Sequence, residues 1–364
     1  MHRVKPPLRV AVIGAGIAGA TCARALSLSG CLVHVVDKSR GAGGRLATRR
    51  LEWLDPQGQR RIAKIDHGTP AFTASGAAFR QFCTDACQSG ALTSWKPTPA
   101  PGSRPLEHAG SLFLPQPDMP SLCRALLRDI PTTWSFGVDR LLQGPLGLEI
   151  EAAGTSLPGH FDAVALALPP AQAAPLLAPH RSDWAQRASI ALMQPCWTLM
   201  GVARRPLQDI HWDVARPEQG PLAWVMRNDA RPGRERSADE AHWVAHARTG
   251  WSRQHLEQPA DWVLEQMQAA MQDCIGEPVD WQHAVVHRWR YAMPQPAGAA
   301  PARACWWDGT RGLGVCGDFL GGTGVEGAWQ SAQALIDAML GGAATATFTL
   351  GSTPTARGSQ RAAA

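Results

Sequence analysis

The stretch VAVIGAGIAGATCARAL, residues 10–26, reads as an apolar run that enters a glycine turn. Gly14, Gly16 and Gly19 have the spacing G-x-G-x-x-G, and a second apolar run, CLVHVVD, ends at Asp37, eighteen residues past Gly19. This implies a buried strand, a tight turn and a helix whose first free N–H groups face a pyrophosphate. Gly14 allows the turn, Gly16 lets backbone approach phosphate, and Gly19 lets helix and strand pack closely. Asp37 stands where an acid accepts hydrogen bonds from an adenosine ribose. The three glycines alone are a weak signal. The strand before them, the helix after them and the acid at the right distance make dinucleotide binding the expectation.

Composition narrows the class. The 364 residues allow two domains and a sizeable core. With 45% apolar and 18% charged residues the chain reads as soluble and globular. The formal charge of +5 comes from arginine, since the only lysines are Lys5, Lys38, Lys64 and Lys96, and no dense basic run argues for nucleic acid. The apolar stretch from Val10 carries the glycine fingerprint, so it is strand and turn rather than a signal peptide. No apolar run reaches the roughly 18 residues of a membrane span. The nine cysteines are scattered and form no C-x-x-C, which reads as reduced thiols in a cytoplasmic protein. Cys83 and Cys87 lie one helical turn apart without partners at zinc spacing, so no metal is expected. Fifteen tryptophans against the single Tyr291 point to aromatic core and cleft wall. Residues 342–364, rich in Gly, Ala, Ser and Thr, read as a disordered tail.

Outward from the first unit, RIAKIDHG alternates like a strand, and residues 75–90 carry helical spacing with Phe79, Phe82, Cys83 and Ala86 on one face. PDMPSLCRALLRDI reads as a helix, TTWSFGVDRLL and GLEIEAA as strands, and HFDAVALALPP as a buried parallel strand stopped by prolines. From about residue 190 to 290 the pattern becomes sheet-like, in CWTLMGVA, PLAWVMRND, HWVAHART and AVVHRWRYA, with one amphipathic helix, DWVLEQMQAAMQDCI.

Two further constellations carry chemistry. In DKSRGAGGRLATRR, residues 37–50, Gly41, Gly43 and Gly44 permit a loop close to the cofactor, and Arg45 offers a planar fork to pyrophosphate oxygens. Alone this would be a solvated basic loop; its place straight after Asp37 turns it toward the cofactor. In CGDFLGGTGVEGAWQSA, residues 316–332, Asp318 follows a strand and could hold sugar or ribitol hydroxyls. Gly321, Gly322 and Gly324 lead into a helix beginning near Val325, whose positive N-terminus would stabilise negative charge on a reduced isoalloxazine. A nicotinamide dehydrogenase has no need of this second glycine loop, so the reading moves from NAD to FAD.

Together VIGAGIAGATCARAL, DKSRGAGGRLATRR and CGDFLGGTGVEGAW resemble the FAD-dependent amine-oxidase superfamily. With DHGTPAFTA, PDMPSLCRAL, RNDARPGR, HWVAHARTGWSRQ and HRWRYAMP, they resemble more narrowly the bacterial renalase-like proteins, over most of residues 8–340. The resemblance implies an α/β fold like that of p-hydroxybenzoate hydroxylase: a Rossmann-type FAD-binding domain with an inserted β-sheet substrate domain. The expected division is a discontinuous FAD-binding domain over 1–74, 130–175 and 300–341, and a cap over 75–129 and 176–299. It implies noncovalent FAD, contacted by Gly14, Gly16, Gly19, Asp37, Lys38, Gly44, Arg45, Asp318 and Val325. Val138, in the strand-like SFGVDRL, matches the position whose backbone reads adenine. The implied activity is oxidation of a reduced, isomeric dihydronicotinamide dinucleotide, with O2 reoxidising the flavin to give H2O2. The chain departs from the family pattern at Pro70 and Ala71, where a Gln-Tyr pair is common, at Phe319, where Trp is common, and at Gly324, where a basic residue is common.

Hydride transfer to a flavin needs no acid–base residue from the protein. His246 matches a family position near the flavin and is the candidate for substrate contact, against a core histidine satisfied by backbone. Trp289 and Tyr291 alternate with Arg288 and Arg290, so they share a strand face and could wall the cleft above the ring, against ordinary packing. Arg227 and Asn228 are candidates for a ligand phosphate or amide. Three other functions stay open: another FAD oxidoreductase of amine-oxidase or desaturase type, a flavin-binding protein without turnover, and a nicotinamide-only dehydrogenase.

Overall fold

The computed structural model describes residues 6–105, 111–205, 210–295 and 303–341. The expected disordered tail, 342–364, lies outside the described residues. β1 (Arg9–Ile13), α1 (Ile17–Leu28) and β2 (Leu32–Val36) form the βαβ unit that the glycine spacing implied. A hairpin follows, β3 (Thr48–Leu54) and β4 (Arg60–Asp66), then α2 (Ala77–Gln88), the pair β5 (Leu92–Trp95) and β6 (Leu112–Pro115), and α3 (Ser121–Leu126). Next come β7 (Thr132–Thr133), the meander β8 (Arg140–Gly144), β9 (Gly147–Ala152) and β10 (Thr155–Ser156), and β11 (Ala163–Leu166). Helices α4 (Pro170–Leu177) and α5 (Ser182–Ile190) lead to β12 (Met193–Arg204), β13 (Val214–Ala215), β14 (Leu222–Arg227) and β15 (Glu240–Ala247). Then come α6 (Thr249–Gln254), α7 (Ala260–Ile275) and β16 (Trp281–Pro294), and the chain closes with β17 (Trp306–Asp308), β18 (Leu313–Val315), α8 (Asp318–Gly321) and α9 (Gly324–Leu340).

The first sheet has the order β17-β18-β11-β1-β2-β7, parallel except for β17. It is buried on two faces, which is why β1 reads as an unbroken apolar run. Val10 and Val12 enter one core with α1 and α9, whereas Ala11 and Ile13 enter another with α4 and β11. The second sheet is antiparallel, in the order β13-β14-β15-β12-β16. Val263, Met267 and Met271, four residues apart on α7, cover one of its faces. Leu51, Ala63 and Ile65 of the β3–β4 hairpin pack on the other, against Met200, Val202 and Val244.

Two expectations are corrected. The cap was expected to include residues 75–129, but Phe79, Phe82 and Cys83 of α2 and Leu122, Cys123 and Leu126 of α3 are buried in the core of α1 and α9. Their apolar stripes turn inward as the periodicity required; periodicity does not say which core receives them. TTWSFGVDRLL is not one strand. It leaves the sheet after Thr133 because Ser135 takes a left-handed φ of 57° and the chain turns back to the end of β2, with Ser135 N–H on Ser39 O and Phe136 N–H on Asp37 O. Val138 therefore sits in an irregular connection. Among the described residues, no helix is long and apolar enough to cross a membrane.

The tight contact of α1 on β1 yields a stability prediction. A Cβ on Gly19 would collide with the carbonyl oxygen of Gly14, and both atoms are fixed by backbone. A Cβ on Gly41 would meet nothing within 4 Å. Gly19→Ala is expected to cost about 1–3 kcal/mol or more in denaturant unfolding, and Gly41→Ala less than about 0.5 kcal/mol. Equal stability of the two variants would contradict the packing.

Candidate active site

The carboxyl ends of β1, β2, β11 and β18 open onto a cavity of about 800 Å³. The chain works outward from β1 to β2 and β7 on one side and from β11 to β18 and β17 on the other. The crevice lies where the order reverses, as open α/β sheets place their ligands. Gly14 makes the turn with φ +107°, where an L side chain is strained, and its N–H donates to Val36 O at 2.8 Å. Asp37 ties the end of β2 to this turn: Oδ2 accepts Ala15 N–H and Oδ1 accepts Ser39 N–H, both at 2.7 Å. A carboxylate has acceptor sites beyond these two bonds, and Asp37 lines the cavity.

Gly16 caps α1 with ordinary backbone angles, φ −76° and ψ −177°, and no side-chain cap bond. A Cβ there would meet only Gly44 Cα at 3.9 Å and Gly43 O at 4.0 Å. Neither conformation nor protein packing requires glycine at this position, and its missing side chain leaves the α1 N-terminus open to the cavity. Gly44, at φ +58°, comes so close to Gly16 that its own Cβ would stand 3.1 Å from Gly16 Cα. The N-terminus of α9 enters the same cavity through Gly324, Val325 and Ala328, again without a side-chain cap bond. Two positive helix ends thus converge on one space. Lys38 and Val138 line it as well, and Val138 lies beside Phe136 and Gly137 in the connection that folds back on Asp37.

Arg45 was expected on a pyrophosphate and Asp318 on sugar hydroxyls; the structure joins them to each other. Both guanidinium nitrogens, NH1 and NH2, donate to the Asp318 carboxylate at 2.7 Å, and NH1 also donates to Ala292 O at 3.0 Å. Asp318 is 3% exposed. The Ala292 carbonyl is free for this contact because of Pro195. In the β12–β16 ladder Gln194 pairs with Met293 and Cys196 with Trp289, so Pro195 alone faces Arg290, Tyr291 and Ala292. Proline has no N–H to give the ladder, and the partner strand bulges toward the cavity. Trp289 and Tyr291 both line it.

Trp289 is held from behind. Its indole Nε1–H donates to His67 O at 3.1 Å, its ring stacks on His67 at 5.1 Å, and His287 meets it edge-on at 4.6 Å. His67 is pushed down to about 3, chiefly by burial and then by the charges of His287 and Arg49. Burial likewise lowers His287. His246 corrects the catalytic expectation. It does not line the cavity; it is buried in β15 and donates Nε2–H to Gly68 O at 2.8 Å, with burial holding it down to about 4. The family resemblance put it near the flavin, against a core histidine satisfied by backbone, and it is the backbone carbonyl of Gly68 that its ring meets. Gly19 also lies outside the lining, serving the α1–β1 contact. Asn228 is structural, since Oδ1 accepts Asp66 N–H and Nδ2 donates to Lys64 O, each at 3.0 Å, and Arg227 donates to Ile210 O. The sequence reading missed Leu168, Pro169 and Gln172, although ALALPP had been read as a buried parallel strand whose carboxyl end belongs at a cleft.

The nucleotide-binding unit matches a family model described as an NAD(P)-binding Rossmann-like domain over residues 12–86. Solved structures share the architecture over nearly the whole chain. A protein of Exiguobacterium sp. assigned as a protoporphyrinogen oxidase aligns with TM-score 0.67 and 10% identity, over 92% of this chain and 99% of its own. Cyclohexylamine oxidase of Brevibacterium oxydans aligns with TM-score 0.62 and 13% identity, over 92% and 99%. Reduced UDP-galactopyranose mutase aligns with TM-score 0.61 and 12% identity, over 94% and 97%. At these identities the likeness is one of fold: a Rossmann-type α/β unit carrying an inserted antiparallel sheet.

Two buried histidines, His67 and His246, set a pH dependence. His67 and His246 titrate far below their ordinary 6.5 in the folded chain. As pH falls below 6.5 the unfolded chain takes up protons that the folded chain refuses, so stability present above 6.5 is lost toward pH 4. Urea unfolding is expected to lose on the order of 3 kcal/mol between about pH 7 and about pH 4.5, and His67→Gln to lessen that loss. A stability independent of pH over this range would contradict the buried neutral state.

Proposed function

We propose that the cavity holds noncovalent FAD and that the protein is an oxidoreductase of renalase-like type, oxidising reduced, isomeric dihydronicotinamide dinucleotides. The observation that carries this reading is the reach of one cavity. It runs from Asp37 and Val138, past the uncapped α1 N-terminus at Gly16, to Asp318, the α9 N-terminus and the β16 bulge. A mononucleotide would leave much of that length unused. The two neighbours named as oxidases support an oxidase.

FAD, when bound, supplies a two-electron acceptor whose electrons pass on to O2 as H2O2. The chain's own residues do the rest. The first-turn N–H groups of α1 and the close Gly44 backbone bind the diphosphate. Asp37 has acceptor capacity left for ribose hydroxyls, and the Val138 backbone lies against the adenine end. Asp318, fixed by Arg45, offers its remaining acceptor sites to ribitol hydroxyls. The α9 N-terminus places positive potential where the ring gains negative charge. Trp289 and Tyr291 wall the space above the ring, exclude water and orient the donor. No histidine lines the cavity among the described residues, and the nearest are neutral and turned to packing. This suits a hydride transfer, which requires no base at the reacting carbon. The nine free thiols, all of them raised in pKa by burial, suit a reducing cytoplasm.

The purified protein is expected to be yellow, with a band near ~450 nm. Anaerobic addition of the 2- or 6-dihydro isomers of NADH is expected to bleach it, and air to restore it with peroxide. A flavin that neither isomer bleaches would overturn the substrate and direct the search to amines or polyenes. Gly16→Val is expected to fold yet emerge colourless, because a Cβ there meets no protein atom closer than 3.9 Å while the added bulk sits at the α1 N-terminus on the cavity. Asp37→Ala is expected to lose flavin as well. Full flavin occupancy in both variants would contradict the cofactor assignment.

A further inference from the structure

We propose that Arg288 and Arg290 form an anion subsite that takes the diphosphate of the dinucleotide substrate, with Glu257 as its built-in competitor. This rests on the substrate reading above and adds to it a recognition element. β16 is an edge strand, and Arg288 and Arg290 line the cavity together with Trp289 and Tyr291. Arg290 holds both oxygens of Glu257, at 2.5 and 2.9 Å. Arg288 donates to Glu257 Oε2 and to Leu256 O, each at 2.8 Å, and its guanidinium lies over the Trp197 ring at 5.5 Å.

Two guanidiniums share one carboxylate, which leaves a net positive charge at the cavity wall. The carboxylate is on the α6–α7 connection and is 67% exposed, so water screens the pair and little holds it closed. A diphosphate brings more negative charge than Glu257 and offers each planar fork two oxygens at once. Among the described residues two other cations line the cavity. Arg45 is engaged by Asp318 and Ala292 O, and Lys38 lies beside Asp37 at the far end. A second diphosphate, distinct from the cofactor's, therefore finds its partners at Arg288 and Arg290. Trp197 and Leu256 O keep Arg288 oriented when Glu257 swings away. Phosphorylated donors should be selected over nucleosides and simple amines, which gain nothing from the pair.

The test is a calorimetric titration of the FAD-loaded protein with ADP-ribose, with adenosine as the uncharged control. ADP-ribose is expected to bind at least about tenfold more tightly than adenosine, and Arg290→Gln to remove about tenfold of that affinity. Glu257→Gln is expected to tighten ADP-ribose binding several-fold; it removes no cation and so keeps the test alive if Arg290→Gln fails to fold. Unchanged affinity in either variant, or adenosine binding equal to ADP-ribose, would overturn the subsite. The two readings fail separately. If ADP-ribose behaves as expected but no dihydronicotinamide bleaches the flavin, the subsite stands and the oxidase reading falls. If bleaching proceeds with KM unchanged in Arg290→Gln, the subsite falls and the oxidase reading stands.

Discussion

The fork of Arg45 is the contact on which the site depends. One side chain, at the end of the first glycine loop, holds the Asp318 carboxylate of the second glycine segment and the Ala292 carbonyl of the inserted sheet. These three segments are distant in sequence, and Arg45 joins them at one point. Asp318 is nearly fully buried, and a carboxylate there is tolerable only with a paired, hydrogen-bonded cation. Removing Arg45 would leave that charge unmatched, at a cost on the order of 3 kcal/mol. It would also free the β16 bulge. The pair thus couples the nucleotide unit to the wall that meets the substrate, and stability and site geometry share one interaction.

The inserted sheet is shaped to reach that contact. A regular β12–β16 ladder would direct the Ala292 carbonyl along the pairing or away from Arg45. Pro195 withholds the N–H that such a ladder needs, and three residues of β16 bulge opposite it. Behind the bulge, Trp289 is fixed by the His67 carbonyl and by two imidazole rings whose pKa burial lowers. The β3–β4 hairpin, which carries His67 at its end, packs on the same sheet through Leu51, Ala63 and Ile65. Trp289 is thus held by an element whose apolar face lies in a core.

The first glycine turn, Asp37 and the helix at Val325 were legible in the sequence because each is local: spacing, an apolar run and a helix start lie within about a dozen residues. The edge strand with Trp289 and Tyr291 was legible by alternation. The Arg45–Asp318 pair was not, because its partners are 273 residues apart and each alone suits a ligand role. Nor was the Pro195 bulge, which exists only in relation to a partner strand. His246 shows the limit of a family match, which aligns a position and leaves open whether its side chain reaches the cavity. Helices α2 and α3 show a different limit, since an apolar stripe does not name the core that buries it.

The most direct measurement is the identity and amount of the small molecule released when the purified protein is denatured, read by mass spectrometry and absorbance. Stoichiometric FAD, released without any covalent remnant on the chain, is the expected result, because the cavity spans both glycine segments and reaches the wall of β16. NAD in its place, or protein that neither carries nor takes up a flavin, would contradict the assignment of that cavity to FAD.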